Sequence, residues 1–179
     1  MTYNKNYKPS PASSERETPQ LLFDLLDREF NFVGDMAATS ENTKCLWYLT
    51  KEDDALSVDW PKGPVFCNPP YSRGLLWRFV AKAREEALKG CRPVLLIPAS
   101  TSSRWWFKYV SKEDYNLSVE IRFLAPRVPF LIDGKPILSK SGKPTTAMTP
   151  NVIVTFEPNT PEKPHLSVYW FNWKEGVYC

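Results

Sequence analysis

Pro64-Val65-Phe66-Cys67-Asn68-Pro69-Pro70-Tyr71-Ser72 decides the reading of this 179-residue chain. Its apolar first half reads as a buried strand, and a helical pattern opens at Leu75. Asn68-Pro69-Pro70-Tyr71 therefore falls at the carboxyl end of a strand, where open α/β sheets place their ligands. Two consecutive prolines lock the backbone there. With proline at about 5% of residues, a chance N-P-P-Y in such a chain is on the order of one in a thousand.

The four residues suit the grip of a planar base by its exocyclic amine. Such a nitrogen is a poor nucleophile because its lone pair is delocalised into the ring. Two acceptors taking its two hydrogens favour a pyramidal nitrogen with a localised pair. The Asn68 side-chain carbonyl supplies one and the Pro69 main-chain carbonyl the other, with Pro70 stiffening the corner. Tyr71 can lie against the base, where stacking contributes about 1–3 kcal/mol. A neutral asparagine also escapes the desolvation cost that a carboxylate incurs in such a pocket. The structural alternative is a rigid turn with a packed tyrosine beside it.

Outward from this corner the pattern alternates strand and helix. Thr18 caps and Pro19 opens a helix over Gln20–Glu29, with Leu21, Leu22, Leu25 and Leu26 on one face. Asn31-Phe32-Val33 reads as a strand ending at Gly34-Asp35, Ser40–Leu49 as a helix, and Asp53-Asp54 as a turn. Leu75–Lys89 has the clearest helical period, with Leu76, Phe79, Val80, Ala83, Ala87 and Leu88 inward and Gly90 as the stop. Pro93–Ile97 is a strand buried on both faces, and Ser103–Val110 a helix bearing Trp105-Trp106. Strands follow at Val119–Leu124, Val128–Ile132, Val152–Phe156 and Leu166–Phe171, with Asp133–Pro150 a basic loop. The expected organisation is a polar, flexible arm over 1–17 and one domain over 18–179. The class is α/β, a mostly parallel sheet finished by antiparallel C-terminal strands.

Composition bounds the partners. A net charge of +3 permits a polyanion without demanding one. No signal peptide opens the chain and no apolar run is long enough to span a bilayer. Four scattered cysteines and one histidine argue against a metal site and for free thiols in a reducing, cytoplasmic setting.

The chain resembles the phage-type, Dam-like DNA adenine-N6 methyltransferases that use S-adenosylmethionine. The resemblance spans about Thr18–Phe156. It rests on Thr18-Pro19, Phe32-Val33-Gly34-Asp35-Met36-Ala37-Ala38, Asp54-Ala55-Leu56, Trp60 and Asn68-Pro69-Pro70-Tyr71-Ser72. Leu96-Ile97-Pro98-Ala99, Trp105-Trp106-Phe107, Ile121-Arg122-Phe123-Leu124 with Arg127, and Pro150-Asn151-Val152-Ile153-Val154 complete it. The resemblance implies a Rossmann-like methyltransferase sandwich acting on double-stranded DNA, without a metal.

It also implies a cofactor site of Thr18, Pro19, Asp35, Ala37 and Asp54, bordered by Asn68. Thr18 meets the cofactor carboxylate or merely caps its helix. Asp35 meets the methionine ammonium or a sugar hydroxyl, unless it is a turn aspartate. Asp54 contacts the cofactor adenine amine or is a solvated acid. A duplex hides the amine, so the nucleotide must rotate out of the stack. Arg73, Ser102, Arg104, Arg127, Lys135, Lys140 and Lys143 are the candidates for phosphate contact, with a solvated surface as their plain alternative.

Two departures stand against the pattern. No G-x-G turn follows the first strand, and the interval of 33 residues from Asp35 to Asn68 is too short for a further βα unit carrying a ribose-binding acid. Three alternatives share the motif or the fold: N4-cytosine methylation, methylation of RNA or a protein amide, and a non-catalytic nucleic-acid-binding module.

Overall fold

The computed structural model describes residues 16–72, 74–112, 116–158 and 166–178. Along the chain run α1 (Gln20–Phe30), β1 (Gly34–Asp35), β2 (Gly63–Cys67), α2 (Leu76–Leu88) and β3 (Cys91–Pro98). Then follow α3 (Arg104–Trp106), a wider π-type turn (Phe107–Ser111), β4 (Leu117–Ala125), β5 (Leu131–Ile132) and β6 (Lys135–Pro136). Last come β7 (Asn151–Pro158), β8 (Leu166–Asn172) and β9 (Val177–Tyr178).

Alternation along the inner strands sets the layers, because successive side chains point to opposite faces. Val65, Cys67, Leu95, Ile97, Val152 and Val154 pack with Phe79, Val80, Ala83 and Ala87 of α2. Phe66, Val94, Leu96 and Ile153 pack with Leu22, Phe23, Leu26 and Phe30 of α1. The two helices thus cover opposite faces of one sheet, ordered β1-β2-β3-β7-β4-β8-β9. The pairs β1/β2, β2/β3 and β4/β8 are parallel, and β3/β7, β4/β7 and β8/β9 antiparallel. Five of the seven strands, β1, β2, β3, β4 and β8, run in one direction and β7 and β9 run against them, so the sheet is mostly parallel with antiparallel C-terminal strands, of which β7 inserts between β3 and β4.

Several local expectations yield to side-chain chemistry. Ser40–Leu49 is not a helix. Asn42 Oδ1 takes the Thr39 N–H at 2.8 Å and Thr43 Oγ1 takes the Cys45 N–H at 3.3 Å, so side chains compete for the bonds a helix needs. Beyond them Trp47–Leu49 runs beside β1, through Asp35 N–H to the Trp47 carbonyl (3.0 Å) and Leu49 N–H to the Asp35 carbonyl (2.9 Å). Asn31, in the left-handed region at φ 54°, turns the chain out of α1, and the ladder starts only at Gly34. The expected helix from Ser103 is α-helical for one turn before widening at Phe107, and its Trp105 is half-buried while Trp106 is buried.

Residues 133–150 are more ordered than a loop. Asp133 and Gly134, both at positive φ (49° and 68°), form the two-residue turn that joins β5 to β6. Thr145 N–H to the Ile137 carbonyl (2.7 Å) and Ser139 N–H to the Lys143 carbonyl (2.8 Å) continue the arm. Of the expected strand Val128–Ile132, Leu131 and Ile132 pair with β6, and Leu131 also bridges to Glu17. Glu17, the last residue of the expected arm, is thereby joined to the domain.

On α2 the inward face differs by one residue. Leu88 is exposed at the helix end, whereas Glu86 is buried. Its carboxylate takes Lys82 Nζ at 2.7 Å, Lys89 Nζ at 2.8 Å and the Trp60 N–H at 3.0 Å. Glu86→Gln keeps an acceptor for Trp60 but removes the charge facing Lys82 and Lys89. We expect it to cost about 1–2 kcal/mol, read as a lower urea midpoint. An unchanged midpoint would mean the ion pairs contribute nothing.

Candidate active site

Strand β2 delivers Asn68 one residue past its end, still on the face that carries Phe66 and α1. Asn68 Nδ2 donates to the Arg16 carbonyl at 2.7 Å and to Thr18 Oγ1 at 3.1 Å. A backbone carbonyl can only accept, which fixes which end of the amide is nitrogen. Asn68 Oδ1 is buried and has no hydrogen-bond donor among the described residues. Leaving such an acceptor unmatched costs about 1–3 kcal/mol, so its retention asks for an explanation in function.

Thr18 does not cap α1. Pro19 occupies the cap position, its carbonyl accepting from Leu22 (3.1 Å) and Phe23 (3.2 Å), and no side chain caps the helix. The buried Thr18 hydroxyl instead faces Asn68. Pro69 is buried and Pro70 half-buried.

Tyr71 is anchored by its hydroxyl. It donates to the Leu96 carbonyl at 2.9 Å and accepts from Asn151 Nδ2 at 3.4 Å. Its ring meets Phe130 edge-on at 5.9 Å. Burial pushes the phenol well above its ordinary value, so the group stays protonated and serves as neither base nor nucleophile. Asn151 lies opposite Pro98 in the β3/β7 ladder, which brings it to the carboxyl end of β3.

Asp35 ends β1 opposite Phe66, placing it on the α1 side as well. Its buried carboxyl accepts the Ala37 and Lys44 N–H groups, each at 3.3 Å. Burial raises its pKa to about 6, against the pull of those two N–H groups and the Lys44 ammonium. A buried acid of this kind, whose charged form is penalised by desolvation, gains from any cation brought to it. Cys45 nearby is held protonated, its pKa pushed up to about 12 by burial and by Asp35 and Asp27.

Other expected residues fall on the surface. Ser102 is exposed in the turn after β3 and Arg104 at the start of α3, at the same sheet end as Asn68 because β2 and β3 are parallel. Arg127 is exposed and donates to the Met148 carbonyl at 3.0 Å. Lys135, Lys140 and Lys143 are exposed along the β5–β6 arm, and Arg73 lies outside the described residues. Asp54 sits in an exposed turn at φ 49°, with Oδ1 taking the Leu56 N–H at 3.3 Å. Among the described residues no cluster of three His, Cys, Asp or Glu side chains can hold a metal. None of the described helices is long and apolar enough to cross a membrane.

Sequence reading missed Arg16, Phe130 and Asn151. Arg16 contributes a main-chain carbonyl, which no residue identity advertises. Asn151 carries a signal in hindsight, a polar residue opening an otherwise apolar strand.

A family model described as DNA N-6-adenine-methyltransferase (Dam) matches residues 8–173. A protein of Haemophilus phage HP1 named DNA N-6-adenine-methyltransferase is 29% identical over 147 residues, which is 80% of this chain and 79% of that protein. The Escherichia coli K12 protein named putative methyltransferase YfdM is 41% identical over 61 residues, 30% of this chain and 67% of that protein.

Proposed function

The chain belongs to the DNA N-6-adenine-methyltransferase family, enzymes that methylate adenine N6 in DNA, and from that premise we propose how this site performs the reaction. S-adenosylmethionine is the methyl donor in this reading, and when bound it supplies an electrophilic methyl group. The buried Asp35 carboxyl suits a ligand bearing an ammonium or sugar hydroxyl, and Pro19, Ala37 and Asp54 border the same cofactor. Parallel β1–β3 between two helical layers, with β7 inserted antiparallel, is compatible with a Rossmann-like methyltransferase sandwich.

The observation that carries the reading is the buried, oriented, unmatched Asn68 Oδ1 at the end of β2. It accepts one hydrogen of the target amine, and the Pro69 carbonyl accepts the other. Both dipoles are fixed before reaction, so they stabilise the charge developing on nitrogen without rearranging. Tyr71 gives the base a ring whose position is set by its hydroxyl anchor. A strong base is not needed, because methylation would leave the nitrogen positively charged and its proton acidic enough to pass to solvent water.

Double-stranded DNA is the partner, in the bacterial cytoplasm where that DNA lies. Ser102, Arg104, Arg127, Lys135, Lys140 and Lys143 meet its phosphates. The paired variant Lys140→Ala with Lys143→Ala should reduce the slope of log affinity against log salt by about 1–2. A slope equal to wild type would remove these lysines from the interface.

One incubation tests the reaction itself. Labelled S-adenosylmethionine and unmodified DNA are combined with the protein, and the DNA is digested to nucleosides. Label in N6-methyladenine is expected. Label in N4-methylcytosine, or none in DNA, overturns the reading.

A further inference from the structure

We propose that Thr18 is a positioning residue for the catalytic amide, its hydroxyl and the Arg16 carbonyl together holding both N–H groups of Asn68. The inference rests on the function proposed above and assigns Thr18 to the amide rather than to the cofactor. An asparagine amide has a broad, two-fold torsion at its end, so nothing local to Asn68 selects oxygen or nitrogen for the substrate side. A flipped amide would aim N–H at an amine that is itself a donor, and set Oδ1 against the Arg16 carbonyl. The Arg16 carbonyl at 2.7 Å, which can only accept, removes that alternative, and the Thr18 hydroxyl at 3.1 Å accepts the second N–H and steadies the amide in the orientation so chosen. The Arg16 carbonyl is held in turn, since Glu17 pairs with Leu131 in both directions (3.0 and 3.1 Å). The Thr18 hydroxyl is buried and does not cap α1.

Thr18→Val keeps the shape and removes the acceptor. We expect kcat to fall about tenfold, the loss of one hydrogen bond, while the KM and Kd for S-adenosylmethionine stay within twofold. Thr18→Ser should recover most of the loss, which a packing role for the methyl group would not allow. In ¹⁵N-labelled protein, the Asn68 side-chain N–H signals should exchange about tenfold faster in the valine variant. Should that variant fold poorly, as judged by circular dichroism, Thr18→Ala gives the same readings without added bulk. Unchanged kcat, or a raised Kd for S-adenosylmethionine with kcat intact, overturns the proposal. So does unchanged amide exchange. Absence of methyl transfer by the wild-type protein would instead sink the proposed reaction, with amide exchange still reporting on the clamp.

Discussion

Asn68→Ala is expected to lower kcat by about 100- to 1,000-fold, the usual effect of deleting one preorganised dipole aimed at a reacting atom. The dissociation constant for S-adenosylmethionine should change by less than about threefold, because Asp35 and the α1 entry remain. Stability should change by no more than about 1 kcal/mol, since the loss of the two amide hydrogen bonds is offset by removing the unmatched Oδ1. Single-turnover methylation alongside calorimetric titration separates the two quantities. Methylation at the wild-type rate would remove Asn68 from the chemistry altogether.

Asp35→Asn should give opposite effects on stability and function. The carboxyl has a folded pKa of about 6 against 3.8 for the free group, so the fold favours its protonated form. Its stabilising contribution is full below about pH 4 and is lost as pH rises through 6; above that, the charged form costs the fold about 3 kcal/mol. Asparagine removes that cost but gives up an acceptor for one of the two N–H groups, worth about 1 kcal/mol. The variant should therefore be about 2 kcal/mol more stable than wild type at pH 8 and no more stable at pH 4. Its affinity for S-adenosylmethionine should fall about 100-fold, since the bond to a charged ligand group is lost. Denaturant titrations at both pH values and a binding titration check this. Equal stability differences at pH 4 and pH 8 would show that folding does not shift the Asp35 pKa. Unchanged affinity would place the ligand's cation elsewhere.

The central layer was legible because its code is local. Val65–Cys67 and Pro93–Ile97 are apolar without interruption, and strands buried on both faces have no other way to read. The helix from Leu75 was equally plain, apart from Glu86, whose burial depends on Lys82, Lys89 and the Trp60 N–H arriving from elsewhere in the chain. Ser40–Leu49 misled because its helical appearance ignored Asn42 and Thr43, which bind their own backbone, and Asp35, which holds the Lys44 N–H. The Asp133-Gly134 hairpin was readable from its two letters but was masked by the surrounding polar composition. At the candidate site, the sequence singles out the asparagine and its diproline corner. The orientation of its amide is not legible there, because that comes from a segment about fifty residues earlier.

Position 16 acts through an atom every amino acid shares. Its side chain, an arginine laid over the Phe130 ring, can be exchanged and the bond to Asn68 persists, so a comparison of residue identities would miss this role. Spacing cannot drift in the same way. Deleting one residue between 16 and Pro19 would pull the carbonyl out of reach, and a gene shortened to begin at Pro19 would encode an intact hydrophobic core around an untethered Asn68 amide.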